Sequence, residues 1–326
     1  MLLLSREDIK KVITMRDIIE ADKQAFKMVV DGTVEIPLRT VISGKYDGTY
    51  LFMPAYAPGI DAASIKVVDI FPHNIEQGLA SSPAQVMLID GKTGYVISIL
   101  DGTYVTQLRT GASSGVAFDL LAKEECKIGA LIGTGGQAMT QLEAMLCARK
   151  LEEVRIFDLN LDRCKEFCAR AEEELGSYGA KFIAAESSDE CIDDADLIIT
   201  VTVSKNPVFD GNKVKPGCTI SAVGTYTPDK QELSPDVLPR ASKIICDSIE
   251  ACLAETGDLL IPLEQGIITM DDIKWNIGDI INGIAPAREN DEEIIVYETV
   301  GVGAQDLLAA KTIYDKAVEA GVGLTW

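Results

Sequence analysis

Residues 127–138 read KIGALIGTGGQA. The first seven are a continuous apolar run of the kind that forms a strand buried on both faces. The run passes directly into Gly133-x-Gly135-x-x-Ala138, and a helical pattern, QAMTQLEAMLCARKL, follows. The next strand, EVRIFD, ends on Asp158, 20 positions beyond Ala138. Strand, glycine loop, helix and a later acid are the context that separates a dinucleotide-binding fingerprint from an ordinary glycine turn. Gly133 permits the tight turn, Gly135 lets backbone approach a pyrophosphate, and Ala138 lets helix and strand pack closely. Thr134, Gly136 and Gln137 complete the loop, whose helix N-terminus faces the phosphates. A carboxylate at Asp158 accepts hydrogen bonds from the ribose hydroxyls and repels a 2′-phosphate, so NAD(H) is expected over NADP(H). Arg163, five residues on, opposes that reading only if it reaches a phosphate; as a solvated residue on the following helix it does not.

Downstream, apolar strands alternate with helices: KFIAAE, ADLIITVT, CTISAVG and SKIICD are the further strand candidates. That alternation predicts a parallel sheet covered on both faces. Ligands of such sheets sit at the carboxyl ends of the strands. Thr200, Val203 and Ser204 lie at the carboxyl end of one such strand, and Val223 and Gly224 at that of the next. Gly301, with Gly303, is a second place for close backbone approach. Upstream, residues 34–110 read as short extended runs separated by Asp47-Gly48, Asp90-Gly91 and Asp101-Gly102 turns. With two helices before them they form an α+β unit. RTGASSGVAFDLLA, from Arg109, reads as a helix, and so does the C-terminal AQDLLAAKTIYDKAVEAG.

A chain of 326 residues is longer than one core usually holds, so two domains are expected. Its formal charge is 30 − 51 = −21, which argues against nucleic acid or an anionic membrane as partner. No apolar run reaches the roughly 20 residues a membrane helix needs. The eight cysteines form no C-x-x-C pair. Their scatter points to reduced thiols, with no metal site, and to a cytoplasmic protein. The single histidine, His73, lies in a loop.

Four segments carry a resemblance: LRTGASSG at 108–115, the GTGGQA loop, VGTYTPDKQEL at 223–233 and TVGVGAQDLLAA at 299–310. Together, and in this order, they resemble the ornithine cyclodeaminase/mu-crystallin family over essentially the whole chain. The resemblance implies an α/β protein in two parts. One is a Rossmann-type doubly wound parallel sheet domain, residues 116–303, that binds NAD. The other is an α+β substrate-binding and dimerisation domain, residues 1–115 with 304–326. It further implies a homodimer acting on a small amino or imino acid. By the same resemblance Arg39 and Arg109 hold the substrate carboxylate and Lys66 stands near the reacting carbon. Arginine suits that grip because its fork is bidentate. A lysine buried beside two arginines has a lowered pKa and exchanges protons near neutrality. The pattern alone is neutral: Arg39 also reads as a surface residue, Lys66 as a solvated strand lysine, Arg109 as a turn cap.

One segment departs from the cyclodeaminases. Aligned on its P-x-K-x-E-L ending, GTYTPDKQEL places Tyr226 where they resemble one another in carrying an aspartate, and Asp229 lies three residues further on. The Pro-Asp pair is similar to the ketimine-reductase branch. The expected activity is therefore NAD(P)H-dependent reduction of a small cyclic imino acid, of the pyrroline-2-carboxylate or piperideine-2-carboxylate type. Ornithine cyclodeaminase and alanine or N-alkylamino-acid dehydrogenase are the alternatives. Tyr226 reads either as closing the pocket beside the substrate ring or as an ordinary loop tyrosine.

Overall fold

The computed structural model describes residues 1–326. In chain order the elements are β1 Leu2–Leu4, α1 Arg6–Val12, α2 Met15–Val30, β2 Thr40–Ser43, β3 Thr49–Ala57, β4 Ala62–Ile70, β5 Ala84–Asp90, β6 Val96–Asp101 and α3 Gly102–Leu121. Then come β7 Ile128–Ile132, α4 Ala138–Ala148, β8 Glu153–Phe157, α5 Leu161–Leu175, β9 Lys181–Ala184, α6 Ser188–Ile192, β10 Leu197–Thr200, β11 Thr219–Ala222 and β12 Lys243–Cys246. Last are α7 Ile249–Glu255, α8 Gly257–Glu264, β13 Ile273–Asn276, α9 Ile277–Ile281, β14 Ile295–Glu298, α10 Gly303–Ala320 and β15 Leu324–Thr325. The chain divides into two units, Met1–Arg109 with Val302–Trp326, and Thr110–Gly301. The boundaries differ slightly from the expected 115/116 and 303/304; the first falls inside α3.

The first unit holds a seven-stranded sheet in the order β15-β1-β6-β5-β4-β3-β2. Its strands from β2 to β6 are antiparallel meanders, and β1 adds parallel to β6. Helix α10 packs on β3, β4 and α2. Helices α1 and α2 start at Ser5 and Thr14, each closing a capping box with an aspartate three residues on, which satisfies otherwise orphaned N–H groups. At the start of the stretch expected to be extended, from residue 34 to the Asp47-Gly48 turn, only Thr40–Ser43 is a strand. Asp101-Gly102 is also not a free turn. The Asp101 carboxylate accepts the Tyr104 N–H at 2.9 Å, an N-cap that starts α3 seven residues before Arg109. Arg109 therefore lies inside the helix and caps no turn.

The second unit is an eight-stranded sheet, β13-β12-β14-β11-β10-β7-β8-β9, with every neighbouring pair parallel. The run β9-β8-β7-β10-β11 is the doubly wound order, with its switch point between β7 and β10. Its core is aliphatic and includes Leu131, Leu142, Met145, Ile156 and Ile199. Two strands, β13 and β14, were not among the sequence candidates. All eight cysteines are free. No helix is long and apolar enough to cross a membrane.

Candidate active site

In the first unit, β4 alternates with Ala62, Ser64, Lys66 and Val68 on its buried face. Lys66 is completely buried. Its Nζ lies 2.8 Å from Oδ1 and 2.7 Å from Oδ2 of Asp306, in the first turn of α10. Arg109, also buried, donates its Nε–H to Asp306 Oδ1 at 3.1 Å. Burial, the Arg109 charge and, less strongly, Arg39 lower the Lys66 pKa; Asp306 opposes them, and the balance is about 7. The expected trio thus acts on one place, with Arg39 the half-buried member. Removing one partner of a buried ion pair typically costs about 3–5 kcal/mol. Asp306 was not anticipated, because an acid in a helix's first turn reads as an ordinary N-terminal residue.

In the second unit, Gly133 follows β7 with φ +105°, and a Cβ there would stand 2.7 Å from Val201 O. At Gly135 a Cβ would meet nothing within 4 Å, so the loop presents open space where a pyrophosphate would approach. Thr134 donates both N–H and O–H to Asp158 Oδ2, at 3.1 and 2.6 Å, which ties the loop to the end of β8. Arg163 is exposed on α5, as expected, yet it is engaged. Its terminal nitrogen lies 2.7 and 2.6 Å from the two Asp158 oxygens. Burial alone would raise the Asp158 pKa, but hydrogen bonds from Asn160, Thr134 and Arg163 outweigh it and hold the carboxyl below its usual range. Two buried acceptors nearby, Gln137 Oε1 and Thr200 Oγ1, have no hydrogen-bond partner. A loop with free space, orphaned polar atoms and an ionised acid fits a dinucleotide.

The loops after β10 and β11 are held by the glutamate of the P-x-K-x-E-L ending, a residue whose role the sequence reading did not anticipate. Buried Glu232 accepts N–H bonds from Thr202 at 2.5 Å and Gly224 at 2.6 Å. Burial and then Asp258 push its pKa up to about 8. Asp258 in turn accepts the Glu232 and Leu233 N–H groups at 2.7 Å. Gly224 is therefore pinned, whereas Val203 is 72% exposed and Val223 half-buried. Gly301, φ +80°, donates its N–H to buried Asp247 at 2.7 Å, so Gly301 is anchored and not a loose turn. Tyr226 is half-buried with the Lys230 ammonium 3.7 Å from its ring centroid. Asp229 is exposed, paired with Lys205 at 2.9 Å, and that pair and Thr227 hold its pKa down to about 2. A carboxylate so engaged and so acidic is a poor base. His73 is exposed between Glu76 and Asp47, in a short 3-10 helix, Pro72–Gln77, and not in the expected loop.

The Delta(1)-pyrroline-2-carboxylate reductase of Bacillus cereus is 36% identical over 324 residues, covering 99% of this chain and 98% of its own. The Thermococcus litoralis Delta(1)-pyrroline-2-carboxylate reductase, in complex with NADH and L-proline, superposes with a TM-score of 0.95 at 36% identity, covering 100% of both chains. An archaeal alanine dehydrogenase dimer with bound NAD gives a TM-score of 0.90 at 31% identity, covering 99% of this chain and 98% of its own. The family model described as ornithine cyclodeaminase/mu-crystallin matches residues 1–321, and the chain belongs to that family.

Proposed function

We propose that the chain is an NADH-dependent reductase of small cyclic imino acids of the Delta(1)-pyrroline-2-carboxylate type. The observation that carries this reading is the buried Lys66 beside Arg109 and Arg39, a positive site on a chain of net charge −21. The full-length likeness to pyrroline-2-carboxylate reductases supports it. In this reading Arg39 and Arg109 hold the substrate carboxylate and Lys66 supplies the proton at the imine nitrogen. The glycine loop at 133–138, Asp158, and the loop positions Thr200, Val203, Val223, Gly224 and Gly301 hold the dinucleotide. When bound, NADH supplies the hydride that reduces the imine carbon. Everything else is positioning and charge. Glu232 keeps the loops after β10 and β11 rigid, which fixes their backbone groups.

Asp158 supports a preference for NADH, softened by the Arg163 guanidinium on its carboxylate. We place substrate binding and dimerisation in the first unit and the dinucleotide in the second. Strand β2 supports a homodimer: all four of its residues are exposed, Val41 by 57% and Ile42 by 51%. Light scattering is expected to give twice 35.1 kDa. The free cysteines support a reducing compartment, the cytoplasm.

Purified protein is expected to oxidise NADH with pyrroline-2-carboxylate or piperideine-2-carboxylate and to release no ammonia from ornithine. Tyr226 in place of the cyclodeaminase aspartate, and Asp229 bound to Lys205, support the second half of that expectation. A carboxylate grip also suits an open-chain α-imino acid, so pyruvate with ammonia is the control. Faster NADH oxidation with that pair than with the cyclic imines would replace this reading by alanine dehydrogenase.

A further inference from the structure

We propose that Asp306 is a positioning residue that keeps the Lys66 ammonium protonated and aimed, and turns Arg109 so that its terminal amino groups face the substrate carboxylate. The inference rests on the reductase reading. Asp306 lies in the first turn of α10, where the helix N-terminus favours an ionised carboxylate. It is completely buried and touches two cations with one carboxyl group: Lys66 Nζ at 2.7–2.8 Å and Arg109 Nε at 3.1 Å. By taking the Nε–H, Asp306 leaves the two terminal amino groups of the Arg109 fork for a carboxylate.

Charges face Lys66 from three segments: Asp306 on α10, Arg109 on α3 and Arg39 ahead of β2. Asp306 is the negative one among them. Behind it, Gln305 donates to Asp22 on α2 at 2.8 Å and to Arg109 O at 3.3 Å, which fixes the first turn of α10. A fully buried lysine facing two guanidiniums loses its proton without the acid. The reduction consumes that proton. As the imine carbon gains a hydride from NADH, the nitrogen takes the proton from Lys66, and C=N becomes CH–NH. NAD⁺ is left, and neutral Lys66 recovers its proton from water.

The test compares wild type, Asp306→Asn and Asp306→Glu by pH–kcat profiles with pyrroline-2-carboxylate. It adds calorimetric binding of pyrrole-2-carboxylate, which needs no cofactor turnover. For wild type, kcat should fall about tenfold per pH unit above the Lys66 pKa of about 7. Binding of the probe should weaken over the same range. In Asp306→Asn both transitions should move down by at least one pH unit, with kcat lowered more than KM is raised, and Asp306→Glu should restore them. A folded Asp306→Asn with an unmoved transition, or a loss uniform in pH that Glu does not rescue, overturns the proposal. Should Asp306→Asn fail to fold, Lys66→Met decides: a transition near pH 7 that persists without Lys66 overturns it. If no imine is reduced while the probe's binding transition still moves in Asp306→Asn, the reductase reading fails and the assignment of Asp306 stands.

Discussion

Replacing Gly135 by alanine separates a dinucleotide cradle from an ordinary glycine turn. The added Cβ meets nothing within 4 Å, and the residue does not need a positive φ. In the unbound protein the substitution should therefore be neutral, or stabilise by about 0.4–1 kcal/mol through the unfolded chain. The space it fills is where the backbone would approach a pyrophosphate. Overpacking by one methyl group typically costs about 1–3 kcal/mol. That corresponds to NADH binding weakened by about 5–150-fold. A thermal melt and a fluorescence titration with NADH read the two effects separately. Gly133→Ala is the contrasting control. Its φ of +105° and the 2.7 Å approach to Val201 O make it destabilising without any ligand. If Gly135→Ala binds NADH like wild type, the loop does not cradle the phosphates and the reasoning is refuted.

Arg163→Ala should leave the Asp158 charge bare and weaken NADPH binding at least tenfold relative to NADH, measured by the same titration; equal losses for both cofactors would place Arg163 outside the ribose site. Arg109→Lys removes the fork while keeping the charge, and should lower kcat/KM for the imino acid by roughly 10–100-fold. A smaller loss would mean that Arg109 does not grip the carboxylate. Asp229→Asn should change kcat/KM by less than about twofold, since Asp229 is exposed and paired with Lys205. A fall beyond tenfold would put that aspartate back into the chemistry.

The dinucleotide unit was legible where its signals are local. Strand β7, the glycine loop, α4 and Asp158 follow one another within a short stretch, and each residue type there has a backbone reason. Strand β14 was missed because its apolar run is short and ends on Glu298, and an irregular, acid-rich segment precedes it. Strand β13 is short and half-polar, and β12 alone gives it a place. At β4 the alternation correctly opposed Lys66 to Ile65 and Val67. It did not say which face α10 would cover, because apolar residues stand on both. Asp306 lies 240 positions from Lys66, so their pairing is a property of tertiary packing alone. Glu232 likewise gains its role only from the loops after β10 and β11 that it ties together.

The most direct measurement is NADH oxidation by the purified protein with Delta(1)-pyrroline-2-carboxylate, with proline quantified at the end point. One proline formed per NADH consumed, and activity lost in Lys66→Met without loss of NADH binding, is the predicted result. No NADH consumption with cyclic imines, together with proline and ammonia formed from ornithine, would contradict the account.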